Sequence, residues 1–202
     1  MGISERKERQ KESLRQNILD ASREILLTDG YAKLSMRRIA SCIEYSPTTI
    51  YLYFKDKDEI LYYLSEEALE HQFEVMSVAG SNESSPVQRL HSVLKAYIDF
   101  GLARPDRYKI AYMADISQYV SGASLLGPGK IAQKLHDIVK QRLDDVLTES
   151  GCTLDPESVF QSVWANLHGI VSLLIGRPGF PWVDRNKLIE TSLHITINGL
   201  VR

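Results

Sequence analysis

A chain of 202 residues, 44% hydrophobic and 25% charged, is long enough for one full-sized domain or a small domain fused to a larger one, and this composition excludes gross disorder. No run of about 18 uninterrupted apolar residues occurs, which argues against a membrane span, and the charged start MGISERKERQKESLRQ lacks the apolar stretch of a secretory signal. The formal net charge of −2 does not favour nucleic acid, but its distribution does: residues 1–57 hold eleven Lys and Arg against eight Asp and Glu, a net +3, while the remainder carries −5.

Helical periodicity dominates from the start. Leu14, Ile18, Ala21 and Ile25 recur at steps of 4, 3 and 4, one face of a first helix that Asp29-Gly30 ends. The mixed-charge stretch Arg6 to Arg15 reads as the solvated start of that helix, with a minor-groove arm as the alternative. Ser35 can cap a short second helix holding Ile39 and Ala40, and Ser46-Pro47 supplies cap and first position of a third. Asp56 followed by Glu59 resembles a capping box opening a fourth helix, with Leu61, Leu64, Ala68, Phe73 and Met76 inside.

The small-polar stretch AGSNESSP (79–86) is a loop, after which Pro86 starts a helix carrying Leu90, Leu94, Tyr97 and Ile98 and ending near Arg104-Pro105. A shorter helix follows through Tyr108 and Tyr112. The loop SGASLLGPG (121–129) leads into a helix with Ile131, Leu135, Ile138 and Val146. Asp155-Pro156 caps the next, where Phe160, Trp164, Leu167, Val171 and Leu174 keep heptad-like spacing. A last helix, roughly 184–201, places Ile189, Leu193, Ile197 and Leu200 on one face. The expectation is an all-α fold of about nine helices: a helix-turn-helix domain over 1–58 and a larger helical domain over 59–202.

The segment SMRRIASCIEYSPTTIYLYFKDK (35–57) carries the chemistry. A short helix, tight turn and second short helix form the arrangement that places its second helix in the major groove of DNA. Ile50 and Phe54 make the inner face, leaving Thr48, Thr49, Leu52 and Tyr53 on the others. Short hydroxyl and apolar groups can approach base edges, including the thymine methyl. Ser35, Arg38 and Lys57 stand at helix starts, whose N–H groups and positive dipole end suit phosphates. Arg37 fits a solvated surface as well as it fits a phosphate contact. The competing reading of the segment is an ordinary three-helix subdomain whose tyrosines and phenylalanine are core.

Ser35, Ile39-Ala40, Ser46 through Thr49, Tyr51-Leu52-Tyr53-Phe54 and Lys55-Asp56-Lys57 with Leu61 together resemble the DNA-binding signature of the TetR family. That resemblance implies that Tyr51 and Lys57 contact phosphate and that Thr48, Thr49 and Tyr53 lie against bases. It makes Ser46, Pro47 and Lys55 part of the same DNA-binding surface. The chain departs from the family in two places. Glu44 stands where the family usually has a turn glycine: either a non-glycine residue takes a left-handed position at a cost of roughly 1 kcal/mol, or the turn differs. Pro47 stands where the family often has a basic residue.

The resemblance further implies a cytoplasmic homodimer that binds a palindromic DNA operator, dimerises through its last two helices, and is released by a small-molecule effector. In that reading a charge at Leu193 breaks the dimer. Trp164, His168 and Gly169 form W-x-x-x-H-G, similar to a WHG-type C-terminal domain of the family. Tyr97, Phe100, Tyr108, Tyr112, Met113, Trp164 and His168 could supply the apolar walls and polar points of a pocket, with packed core as the plainer reading. Cys42 and Cys152 show no metal-ligand spacing and His168 has no second ligand nearby in sequence, so neither metal nor cofactor is expected. No G-x-S-x-G, H-E-x-x-H or G-x-G-x-x-G is present, and residues 122–130 have glycines at P-loop spacing with Pro128 in place of the lysine, so an enzyme is not expected.

Overall fold

The computed structural model describes residues 2–113 and 129–201, and within them the chain is helical with no strand. The elements are α1 (Ile3–Asp29), a 3₁₀ turn (Tyr31–Lys33), α2 (Met36–Cys42), α3 (Pro47–Tyr51), α4 (Lys57–Val78), α5 (Pro86–Ala103), α6 (Pro105–Tyr108) running into a π-helical turn (Lys109–Met113), α7 (Ile131–Ser150), α8 (Pro156–Gly176) and α9 (Arg185–Asn198). The P-loop-like glycines fall mainly on residues outside the described ones.

Local chemistry sets the helix boundaries. Gly30, at φ 77°, ends α1 with its N–H donating to the Leu26 carbonyl. Ser35 accepts from the Arg38 N–H, Ser46 from Thr49, Asp155 from Ser158 and Asp184 from Lys187, so four helices open on a side-chain cap. At the start of α4 the Asp56 carboxylate accepts from Asp58 and Glu59 N–H, at 3.1 and 2.9 Å. The Glu59 carboxylate reaches back to the N–H of Lys55, one residue earlier than a regular capping box requires. Gly151, in the left-handed region at φ 64°, closes α7, where the Cys152 N–H donates to the Leu147 carbonyl.

The described residues fall into two compact units. Those of Met1–Ala68 and Lys109–Ser124 form the first, and those of Leu69–Tyr108 and Leu125–Arg202 the second; the division falls within the continuous helix α4. In the first unit α1 packs on α2, on the 3₁₀ turn and on the π-helical turn, and α2 packs on α3. Ile18, Ile39, Ile50 and Ile60 are fully buried there, with Phe54 at 1% exposure. Each such side chain contributes roughly 1.5–3 kcal/mol by leaving water.

In the second unit α5 is the central helix, packed on α7, α8 and α9. Gly101 permits its approach to α8: a Cβ there would lie 2.5 Å from Val171 Cγ1 and 2.8 Å from Tyr108 Cδ2. The stripe expected on α9 is buried as read, with Ile189, Leu193, Ile197 and Leu200 all inside. The stripe expected on α8 is shifted by one residue in its first half. Val159 and Val163 are buried, Phe160 is half-buried and Trp164 is 45% exposed, before Leu167, Val171 and Leu174 resume the inner face. By length and composition α8 could cross a membrane, with mean hydropathy 1.3 over an 18-residue window, yet its inner stripe serves as core of this unit.

Candidate nucleic-acid interface

The helix-turn-helix surface is built from the inside out. Ile50 and Phe54 anchor α3 to the core, and the helix then turns Thr48, Tyr51 and Leu52 to solvent, the last two 57% and 79% exposed. Thr49 and Tyr53 are half-buried at the edges of that face. Ser46 and Thr49 are bound to each other, Oγ to Oγ1 at 2.9 Å, in addition to the cap bond. The pair therefore moves as one group, with one of its two hydroxyl protons used internally. Pro47 occupies the first helical position, where no N–H is needed.

Glu44 adopts φ 59° in the turn between α2 and α3, the left-handed conformation expected where the family places glycine. The turn is closed by the Tyr45 N–H donating to the Ala40 carbonyl at 2.9 Å. This leaves Tyr45 49% exposed beside Ser46. Sequence reading did not single out Tyr45; its place between the turn residue and the helix cap is the signal that could have done so.

The positive groups are more engaged than spacing alone suggests. The Arg38 guanidinium is paired with Asp29 at the end of α1, so a phosphate must compete with a carboxylate for it. The Lys57 ammonium sits 4.0 Å from the centroid of the Tyr31 ring, and the Tyr31 hydroxyl donates to Asp58. Arg37 and Lys55 are exposed. The N–H groups expected to clamp phosphate are largely spent on capping: those of Arg38, Thr49, Asp58 and Glu59 already donate to Ser35, Ser46 and Asp56. The interface thus rests on side chains more than on helix ends. Arg15, from α1, lies over the rings of Phe54 and Tyr63, 5.3 and 4.5 Å from their centroids, and ties α1 to the end of the recognition segment.

In the second unit, part of the expected ligand set comes together. The Tyr97 and Tyr108 hydroxyls are 2.9 Å apart, and Tyr108 Oη is 2.7 Å from His168 Nδ1. Trp164 also hydrogen-bonds Tyr97. An indole N–H can only donate, so Trp164 donates to the Tyr97 hydroxyl, while in the Tyr97–Tyr108 pair either hydroxyl can be the donor. Burial holds the His168 imidazole below its ordinary pKa and pushes the Tyr97 phenol up to about 12, so both groups stay uncharged near neutrality. Phe100 is buried on the same helix as Tyr97. Tyr112 and Met113 lie on the π-helical turn, within the first unit.

A surface groove of about 530 Å³ lies elsewhere in this unit, between the start of α5 and α9. His91, Glu190 and His194 line it, with His91 Nε2 3.0 Å from Glu190. None of the expected ligand residues does. The groove is open to solvent and lined by both polar and apolar side chains, Val87 and Ile197 among them.

The chain matches the family model described as bacterial regulatory proteins, tetR family, over residues 18–64, and that of a tetracyclin repressor-like C-terminal domain over 90–197. It is 28% identical over 144 residues to the fatty acid metabolism regulator protein of Bacillus subtilis, covering 70% of each chain. A bacterial regulatory protein of the tetR family from Rhodococcus RHA1 superposes with a TM-score of 0.76 at 16% identity, over 92% of this chain and 96% of that one. The fatty acid degradation regulator FadR of Bacillus halodurans superposes at 0.63 and 19% identity, over 92% and 95%. These two likenesses concern the fold. The two matched models together span the recognition helices and most of the helical body, and the chain belongs to the TetR family: it is a DNA-binding transcriptional regulator, not an enzyme.

Proposed function

We propose that the protein is a repressor that binds a palindromic operator as a homodimer and leaves it when a small molecule binds the second unit. The observation that carries this reading is the display on α3. Thr48, Tyr51 and Leu52 are turned outward from a fully buried Ile50–Phe54 ridge, which gives the surface a rigid backing and nothing of its own fold to cover. In this reading Thr48, Thr49 and Tyr53 face bases, while Ser35, Arg37, Arg38, Ser46, Tyr51, Lys55 and Lys57 hold the phosphates, with Pro47 fixing the entry of the helix.

Dimerisation is supported by α8. Only 28% of its most apolar window is buried within the chain, and Trp164 and Leu173 leave nearly half their surface exposed. Exposed apolar area of this kind marks a partner surface. On α9 the expected position is corrected: Leu193 is 1% exposed inside the protomer, so it belongs to the core, and the outward residue is Ile195, 66% exposed. The effector reading rests on Tyr97, Tyr108, Trp164 and His168, with Phe100 beside them. The name of the Bacillus subtilis relative makes compounds of fatty acid metabolism the first effectors to try.

The test is a mobility shift with the DNA upstream of the protein's own coding region, at physiological salt and with unrelated competitor DNA. A specific shift by a dimer is expected, and no specific shift would sink the operator reading. Replacing Tyr51 or Lys57 by Ala should weaken binding to all sequences. For Lys57, whose ammonium would neutralise one phosphate, the salt slope should also fall by about 0.9. Unchanged binding would remove the residue from the phosphate set.

A further inference from the structure

The first turns of α1 extend beyond the core of the first unit, and residues 4–13 are all exposed. Their charges are sorted by face. At 3.6 residues per turn, Lys7, Lys11, Leu14 and Ile18 fall within a sector of about 60°, so the stripe that is fully buried at Ile18 becomes cationic toward the N-terminus. Arg15 borders that sector. Glu5, Glu8 and Glu12 share the neighbouring sector; Arg6 and Arg9 lie on the side away from the lysines, with Arg9 next to Glu5.

A helix that is merely solvated gains from opposite charges four residues apart, by about 0.2–0.5 kcal/mol per pair. Here Lys7–Lys11, Lys11–Arg15 and Glu8–Glu12 are like-charged at that spacing, an arrangement that costs similar amounts. Glu8 and Glu12 stand three residues before Lys11 and Arg15, yet no ion pair joins them among the described residues. Lys7 and Lys11 thus make no ion pair among the described residues. Arg15 supplies the connection to the interface: its guanidinium over Phe54 fixes this face of α1 beside the end of α3 that carries Tyr51, Tyr53 and Lys55. Lys11 and Lys7 follow about 6 and 12 Å further along the helix axis.

We infer that Lys7 and Lys11 form an additional phosphate-binding stripe, which continues the DNA contact beyond the helix-turn-helix along the backbone of the same duplex. The inference rests on the DNA-binding reading above. A polyanion on this side removes the repulsion between Lys7, Lys11 and Arg15. The contact is to phosphate and carries no sequence preference of its own.

The test compares two double variants of the full chain, Lys7→Gln with Lys11→Gln and Arg6→Gln with Arg9→Gln. Glutamine matches lysine and arginine in helix propensity, and circular dichroism checks that both variants fold. Affinity for the upstream duplex is measured by fluorescence anisotropy between roughly 50 and 200 mM salt. The first variant should lower the slope of log affinity against log salt by about 1.8, equally on unrelated duplex, and the second should leave it unchanged. An unaltered slope in the first variant, or an equal fall in both, overturns the assignment while leaving the DNA reading intact. Failure of the unaltered chain to bind the duplex overturns both.

Discussion

Glu44 holds the left-handed conformation at the centre of the helix-turn-helix without the freedom that glycine has there. The Cβ crowding costs about 1 kcal/mol, and the Tyr45–Ala40 backbone bond that closes the turn keeps the residue in place. Glu44→Gly should therefore raise stability by about 0.5–1 kcal/mol, or about 1–4 °C in Tm for a chain of this size. A melt followed by circular dichroism decides it; a glycine variant no more stable than its parent would show that the turn is unstrained. Tyr97 gives a second residue-scale expectation. Its phenol is raised from 10.0 to about 12 by burial, so the folded state holds that proton more tightly than the unfolded chain. The associated stability is complete below pH 10 and is lost as pH rises through about 12, an effect of roughly 2–3 kcal/mol. Urea midpoints measured across that window should fall, and should fall less in Tyr97→Phe. An identical alkaline loss in that variant would assign the effect to other groups. His168 has the opposite sense: its lowered pKa makes the neutral form part of the fold, so its contribution is present above 6.5 and lost as pH falls below that value.

The crossing of α5 and α8 is tight because Gly101 lets Val171 and Tyr108 occupy the space of its missing Cβ. In most helices Gly→Ala stabilises by up to 1 kcal/mol, but a methyl 2.5 Å from Val171 Cγ1 must push α8 away or bend the chain. Gly101→Ala should lower stability by about 1–2 kcal/mol, read from a thermal melt. A rise would mean that α8 yields at no cost. Elements differed in how far the sequence alone exposed them, and the reasons are physical. The starts of α2, α3 and α8 were readable because Ser35, Ser46-Pro47 and Asp155-Pro156 act locally, through bonds to N–H groups three residues on. The inner face of α3 was readable because Ile50 and Phe54 leave no other choice. On α8 the pattern is ambiguous: Val159 and Val163 compete with Phe160 and Trp164 at the same spacing, and only the shape of α5 decides which pair turns inward. The pairing of Arg38 with Asp29 and the seat of Lys57 over Tyr31 join residues 9 and 26 positions apart, beyond any local signal.

At the scale of the molecule, a palindromic site requires two recognition helices about 34–36 Å apart, so the proposed repression depends on the dimer as much as on α3. An effector can shift such a dimer only by its difference in affinity between the operator-competent conformer and another. The same dependence makes the interface testable apart from the fold. Leu173 and Ile195 are exposed in the protomer at 49% and 66%, whereas Leu193 is buried at 1%. A carboxylate at Leu193 places an unpaired charge in the protomer core, which costs more than the typical margin of a folded domain can absorb. Leu193→Glu should accordingly unfold the chain. Leu173→Glu with Ile195→Glu should leave its circular dichroism intact, because those side chains have water to face in the monomer. Sedimentation of this double variant should show a folded monomer. Such a monomer holds one half-site at a time, so its specific mobility shift should disappear while weak, salt-sensitive binding to any duplex persists. A double variant that still sediments as a dimer would move the interface off the exposed face of α8 and α9. A monomer that still shifts the operator specifically would remove the palindrome from the proposed mechanism.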